Sequence, residues 1–93
     1  MKTLEECRSR IDEIDRQLVK LFEARMEVAG DVAAYKKEHG LAVLDASREE
    51  IKLQQITEMT DERFRDDILQ LYRVILDLSK SYQNRLLGMD SNA

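Results

Sequence analysis

The chain has 93 residues, enough for one small domain. Fifteen Lys and Arg against nineteen Asp and Glu give a net charge of −4; 37% of residues are charged and 43% apolar, with one Cys, one His and no Pro or Trp. These counts exclude a disulfide scaffold, a Cys-rich zinc site and a basic nucleic-acid module, and they leave little for His-based chemistry.

The charged start, Met1-Lys2-Thr3-Leu4-Glu5-Glu6, lacks the apolar stretch of a signal peptide. No apolar run approaches the roughly 18 residues of a membrane span. A cytoplasmic protein that binds neither membrane nor nucleic acid is the expectation. Abundant Leu, Glu, Lys, Arg, Ala and Gln without Pro point to an all-α chain. The pattern predicts one domain over 1–93, with helices at approximately 4–38, 47–59 and 61–87.

The first helix opens on Thr3-Leu4-Glu5-Glu6, a capping-box spacing. A seam of three- and four-residue steps follows: Leu4, Cys7, Ile11, Ile14, Leu18, Leu21, Arg25, Val28, Val32 and Tyr35. It runs through Gly30 and stops at Glu38-His39-Gly40, where Gly suits a left-handed cap. Cys7 is expected to pack as a small apolar residue and His39 to decorate the turn. Such a helix is ~50 Å long, whereas a compact globule of this chain length is only roughly 30 Å across. One chain cannot cover it, so the seam predicts an intertwined two-fold homodimer.

The second helix has two candidate caps, Ser47 (in Ser47-Arg48-Glu49-Glu50) and Asp45, and a short apolar face of Ile51, Leu53, Ile56 and Met59. The third starts near Thr60-Asp61. Its stripe is Phe64, Ile68, Leu71, Tyr72, Ile75, Leu76, Leu78, Tyr82 and Leu86. It ends at Gly88, and Met89 to Ala93 read as a frayed tail.

Several polar residues do not fit a plain bundle. Arg25 sits in the seam, and its neighbours at three and four residues, Leu21, Phe22, Val28 and Ala29, offer no carboxylate. A buried guanidinium without a partner is costly, so Arg25 must snorkel, meet an acid from another helix or meet an anionic ligand. Lys36, eleven residues on, projects within ~20° of the same direction and ~16 Å away. Beside Lys37 it also reads as part of a solvated face. Arg8 lies ~25 Å before Arg25, so the two share a small ligand only across a dimer; alone, Arg8 reads as a surface residue of a charged first turn. Ser79 and Gln83 continue an apolar stripe with polar groups, which marks either a lined cavity or a helix fraying toward solvent. Asp45 and Glu49 also read two ways, as ligand-binding acids or as ordinary acidity at a helix start.

Together, Arg8-x-x-Ile11-Asp12-x-x-Asp15-x-x-Leu18, Arg25, Val32-Ala33-x-Tyr35-Lys36, Asp45-x-x-Arg48-Glu49 and Ser79-x-x-x-Gln83 resemble the all-helical class of chorismate mutase along essentially the whole chain. The resemblance implies three helices per chain, one very long, in an interlocked homodimer with two sites. It implies rearrangement of chorismate to prephenate, on the way to phenylalanine and tyrosine, without metal or cofactor. It also implies that Arg25, with Arg8 from the opposite chain, pairs with the substrate carboxylates, and that Lys36 and Gln83 donate to the ether oxygen. Glu49 would bind the ring hydroxyl with help from Asp45, Ser79 would assist at a carboxylate, and Arg48 would line or brace the site. Ala46-Ser47 departs from the Asp-Pro-like linker often seen before the second helix, and Gly30 is unusual in mid-helix.

An isochorismate-pyruvate lyase of the same fold is the nearest alternative. A non-catalytic helical dimerisation module is the alternative from another class. Asp45 with Glu49 favours the mutase, since the pair suits the chorismate hydroxyl. The start at Met1 favours a free-standing protein over the mutase part of a bifunctional enzyme.

Overall fold

A computed structural model describes residues 1–88, and the expected frayed tail from Met89 onward lies outside them. Three α-helices follow in order: α1 (Leu4–Glu38), α2 (Ala46–Met59) and α3 (Arg65–Leu86), with a 3-10 turn at Glu62–Phe64 leading into α3. There is no strand among the described residues, and no helix among them is long and apolar enough to cross a membrane.

The ends of the helices follow local chemistry. Thr3 is extended, and its hydroxyl accepts the Glu6 backbone N–H at 3.1 Å. Glu5 and Glu6 lie in the first turn of α1 and Lys36 and Lys37 in the last, matching the helix dipole. At the C-terminus Gly40 has φ +65°. The Leu41 N–H reaches the Lys36 carbonyl at 2.8 Å and the Gly40 N–H reaches that of Lys37 at 3.4 Å, a Schellman closure. His39 does decorate this turn: its Nδ1 lies 2.9 Å from the Tyr35 carbonyl and its ring stacks on Tyr35.

Two starts differ from the sequence reading. Asp45, not Ser47, caps α2: its Oδ1 accepts the Arg48 N–H at 3.1 Å while its carbonyl accepts that of Glu49 at 3.0 Å, so the helix begins at Ala46. The third helical segment opens on a 3-10 turn. Asp61 Oδ1 takes both the backbone N–H and the Nε of Arg63, which tightens the chain there before α3 proper starts at Arg65. The same contacts hold the Asp61 carboxyl below its ordinary value of 3.8, through the Arg63 hydrogen bonds first.

α3 is the central element. It packs against both α1 and α2, whereas α1 and α2 do not pack on each other. Ala29, Ala33 and Ile56 are the buried apolar residues. Gly30 of α1 faces α3: a Cβ there would lie 3.4 Å from Leu86 Cδ1 and 3.5 Å from Tyr82 Cε2.

The molecule is 55 Å long, with a radius of gyration of 16.6 Å, where a compact chain of this length gives about 12 Å. The excess is the N-terminal part of α1. Every residue before Arg25 is exposed, including Leu4, Ile11, Ile14, Leu18 and Leu21 of the seam. Cys7 is exposed in the single chain too, since no other element of that chain lies against this stretch.

Gly30 is not a steric requirement, since the added methyl would make ordinary van der Waals contact with Leu86 and Tyr82. Gly30→Ala is therefore expected to raise stability by about 0.5–1 kcal/mol through helix propensity. Urea denaturation followed by circular dichroism checks this, and a loss of stability would contradict it.

Candidate active site

Where the second half of α1 faces α2 and α3 lies a cleft of about 350 Å³. Its walls are Arg25, Val28, Ala29, Val32 and Lys36 of α1, Val43 of the connector, Asp45, Arg48, Glu49 and Lys52 at the head of α2, and Leu76, Ser79, Lys80 and Gln83 of α3. Seven of the eight residues singled out from sequence meet here. Arg8 does not, since it belongs to the uncovered part of α1.

Five cationic side chains line the cleft against two acidic ones, in a chain whose net charge is −4. The positive field is thus local. Arg25 is half-buried and joins no ion pair among the described residues. Its guanidinium lies 5.9 Å from the centre of the Tyr72 ring, which supports the charge without neutralising it. Lys36 is likewise half-buried, and the reading of it as solvated surface gives way. Its ammonium donates to the Val43 carbonyl at 2.7 Å, which anchors it at the rim. A lysine has three N–H bonds, so two remain for a ligand.

Ser79 and Gln83 are 8% and 6% exposed, so they wall a cavity and do not fray into solvent. Gln83 Nε2 donates to Ser79 Oγ at 3.2 Å, and Gln83 Oε1 is buried with no partner. A buried acceptor left alone is costly. Rotating the amide by half a turn would let the Ser79 hydroxyl donate to Oε1, freeing both Nε2 hydrogens toward the cleft. The pair can therefore present donors to an incoming acceptor.

At the head of α2, Asp45 spends one oxygen on its cap. Glu49 lies one turn further on and is held by Lys80, whose ammonium is 3.2 Å from both carboxylate oxygens. Lys80 also reaches Asp77 at 3.4 Å. The Glu49 contact, ahead of the loss from burial, raises the Lys80 ammonium above its ordinary value of 10.5.

Sequence reading missed Lys52 and Lys80. Lys80 carried a signal: Leu76, Ser79, Lys80 and Gln83 stand at i, i+3, i+4 and i+7, one face of α3. Lys52 is three residues after Glu49 and therefore on the same side of α2.

A small cleft in a helical protein, with apolar side chains and a majority of cations on its walls, suits the binding of a small anion. The chain belongs to the chorismate mutase type II family, an isomerase family, whose model matches residues 7–84. It is 29% identical over 94 aligned residues to the chorismate mutase of Methanocaldococcus jannaschii, an alignment covering 99% of this chain and 95% of that protein. It is also 41% identical over 54 residues to the T-protein of Haemophilus influenzae, which covers 58% of this chain and 14% of that one. No solved structure matches the chain significantly.

The Lys80–Glu49 pair is roughly a quarter exposed at each partner, with side-chain values of 27% and 24%. A raised lysine value stabilises the fold fully below 10.5 and loses that contribution as pH climbs past the raised value. Lys80→Met is therefore expected to cost about 0.5–1 kcal/mol at pH 7. The gap from wild type should narrow above the ordinary lysine range. Urea titrations at neutral pH and at high pH check this, and a gap that widens with pH would contradict it.

Proposed function

We infer that this cleft performs the rearrangement of chorismate to prephenate, and that its residues act by confinement and charge. The observation that carries the reading is the set of unpaired cations around a partly apolar cleft in a chain of this family. The reaction is unimolecular and pericyclic: one C–O bond breaks while one C–C bond forms. Its barrier falls when the flexible dianion is held in its compact diaxial form and when charge developing on the ether oxygen meets preplaced donors.

Each role follows from the chemistry of the side chain. Arg25 takes a substrate carboxylate, because a guanidinium matches it with two parallel N–H bonds. Ser79 assists there. Lys36 donates to the ether oxygen with an N–H not used by Val43. Gln83 donates to the same oxygen as a neutral amide, which works without protonation. Glu49 accepts the ring hydroxyl, Asp45 supports it from the cap, and Arg48 braces the rim. Val28, Val32 and Leu76 pack the apolar side of the substrate and exclude water.

Arg8 completes the site only from a second copy. Twenty-one residues of α1 leave their apolar seam open, and an uncovered surface of this kind marks an interface. An antiparallel pairing puts the start of one α1 beside the middle of the other, so Arg8 of a second chain reaches the carboxylate that Arg25 does not take. The working unit in this reading is a homodimer with two shared sites.

Arg25→Ala and Lys36→Ala are each expected to lower kcat/KM for chorismate by about 10²–10³-fold or more, with the fold retained. Loss of chorismate absorbance gives the rates. Wild-type rates in both variants would remove the proposed mechanism. The shared site has its own check. An equimolar mixture of Arg8→Ala and Arg25→Ala chains, unfolded and refolded together, should regain about a quarter of wild-type activity, since half of the dimers are mixed and each carries one intact site. A mixture no more active than its parents would place Arg8 outside the site.

A further inference from the structure

Lys80 is a cation in the cleft that the rearrangement does not call on. It faces the cavity on the same side of α3 as Ser79 and Gln83, yet its charge is not free for a dianion. Both oxygens of Glu49 lie 3.2 Å from its ammonium, and Asp77 holds it at 3.4 Å from the other side. We propose that Lys80 is a positioning residue of the reaction: it fixes the Glu49 carboxylate toward α3, in the orientation that accepts the substrate ring hydroxyl. The proposal rests on the reading of Glu49 given above.

Two observations support it. α2 makes no packing contact with α1, so the head of α2 is placed relative to the Arg25 and Lys36 wall only through α3 and the connector. Among the described residues, Lys80–Glu49 is the one ion pair that joins two helices; the others lie within three residues of each other in sequence. It is therefore the ion pair that ties the head of α2, the hydroxyl-binding end in this reading, to α3. The second observation is a competitor. Lys52 stands three residues after Glu49, the spacing of a routine pair along one helix, yet Glu49 pairs across to α3. Without Lys80 the carboxylate is free to turn along α2 toward Lys52, away from where the hydroxyl must sit.

The test uses the full chain and two substrates: chorismate, and its deoxy analogue lacking the ring hydroxyl. Lys80→Met is expected to lower kcat/KM about tenfold for chorismate and less than twofold for the analogue. A merely structural role would lower both alike. A double-mutant cycle with chorismate alone reads the same coupling. In a Glu49→Gln background the Lys80 substitution is expected to cost less than twofold further, because its effect passes through Glu49. Circular dichroism establishes that the variants fold, and Lys80→Gln replaces Lys80→Met if the latter does not.

No loss in Lys80→Met overturns the proposal. So does an equal loss on both substrates, and so does a full additional loss in the Glu49→Gln background, which would make Lys80 a direct ligand of the dianion. If Glu49→Gln itself fails to discriminate chorismate from the deoxy analogue, the role of Glu49 is what falls, and that outcome is distinct from the other three.

Discussion

Positive charge held at the edge of an apolar helix junction, with no acid to neutralise it, is the constraint on which this molecule turns. Arg25, Lys36, Arg48 and Lys52 all line one cleft and none joins an ion pair among the described residues. Arg25, Lys36 and Lys52 are half-buried, and partial desolvation makes such groups expensive for the isolated fold and strong toward an anion that enters. The fold meets that cost with weak local supports, a carbonyl at Lys36 and an aromatic face at Arg25. Neither support cancels a charge.

The acids near the cleft are disposed differently. Asp45 serves the helix start and Glu49 is bound to Lys80, so neither draws an electrostatic contact from the α1 wall. The α1 wall thus keeps two cations, Arg25 and Lys36, without an ion-pair partner among the described residues, while the acids lie at the head of α2 among Arg48, Lys52 and Lys80. In the proposed function, a substrate with carboxylates at one end and a hydroxyl at another is oriented by where these cations and the Glu49 acceptor stand. For a pericyclic reaction orientation is most of what a protein can supply.

Much of this was legible in the sequence because it depended on neighbours along one helix. The length of α1 followed from the Thr3 cap, the unbroken seam and Gly40, and the structure has it from Leu4 to Glu38. Ser79 and Gln83 stood out as polar residues in an apolar stripe, and both prove buried. Where sequence reading fell short, the deciding contact was either a competition between adjacent side chains or a reach between helices. Asp45 takes the cap over Ser47: its carboxylate accepts the Arg48 N–H, and the helix starts at Ala46. Asp61 tightens its turn through Arg63, which no hydrophobic pattern reports. Lys80 finds Glu49 from thirty-one residues away, and nothing in local spacing names that partner. Arg8 is a different case, since a single chain contains no site for it to join.

The grip on Lys36 comes from the main chain of the α1–α2 connector. The Val43 carbonyl holds the ammonium, and Gly40 turns the backbone so that it can. A peptide carbonyl is present whatever side chain accompanies it. Leu41 and Ala42 of this connector line no wall of the cleft, so the contact depends on the number of residues between Gly40 and Asp45 and not on those two side chains. An insertion or deletion there would shift the carbonyl off the ammonium, so in this loop length does the work that side chains do elsewhere in the cleft.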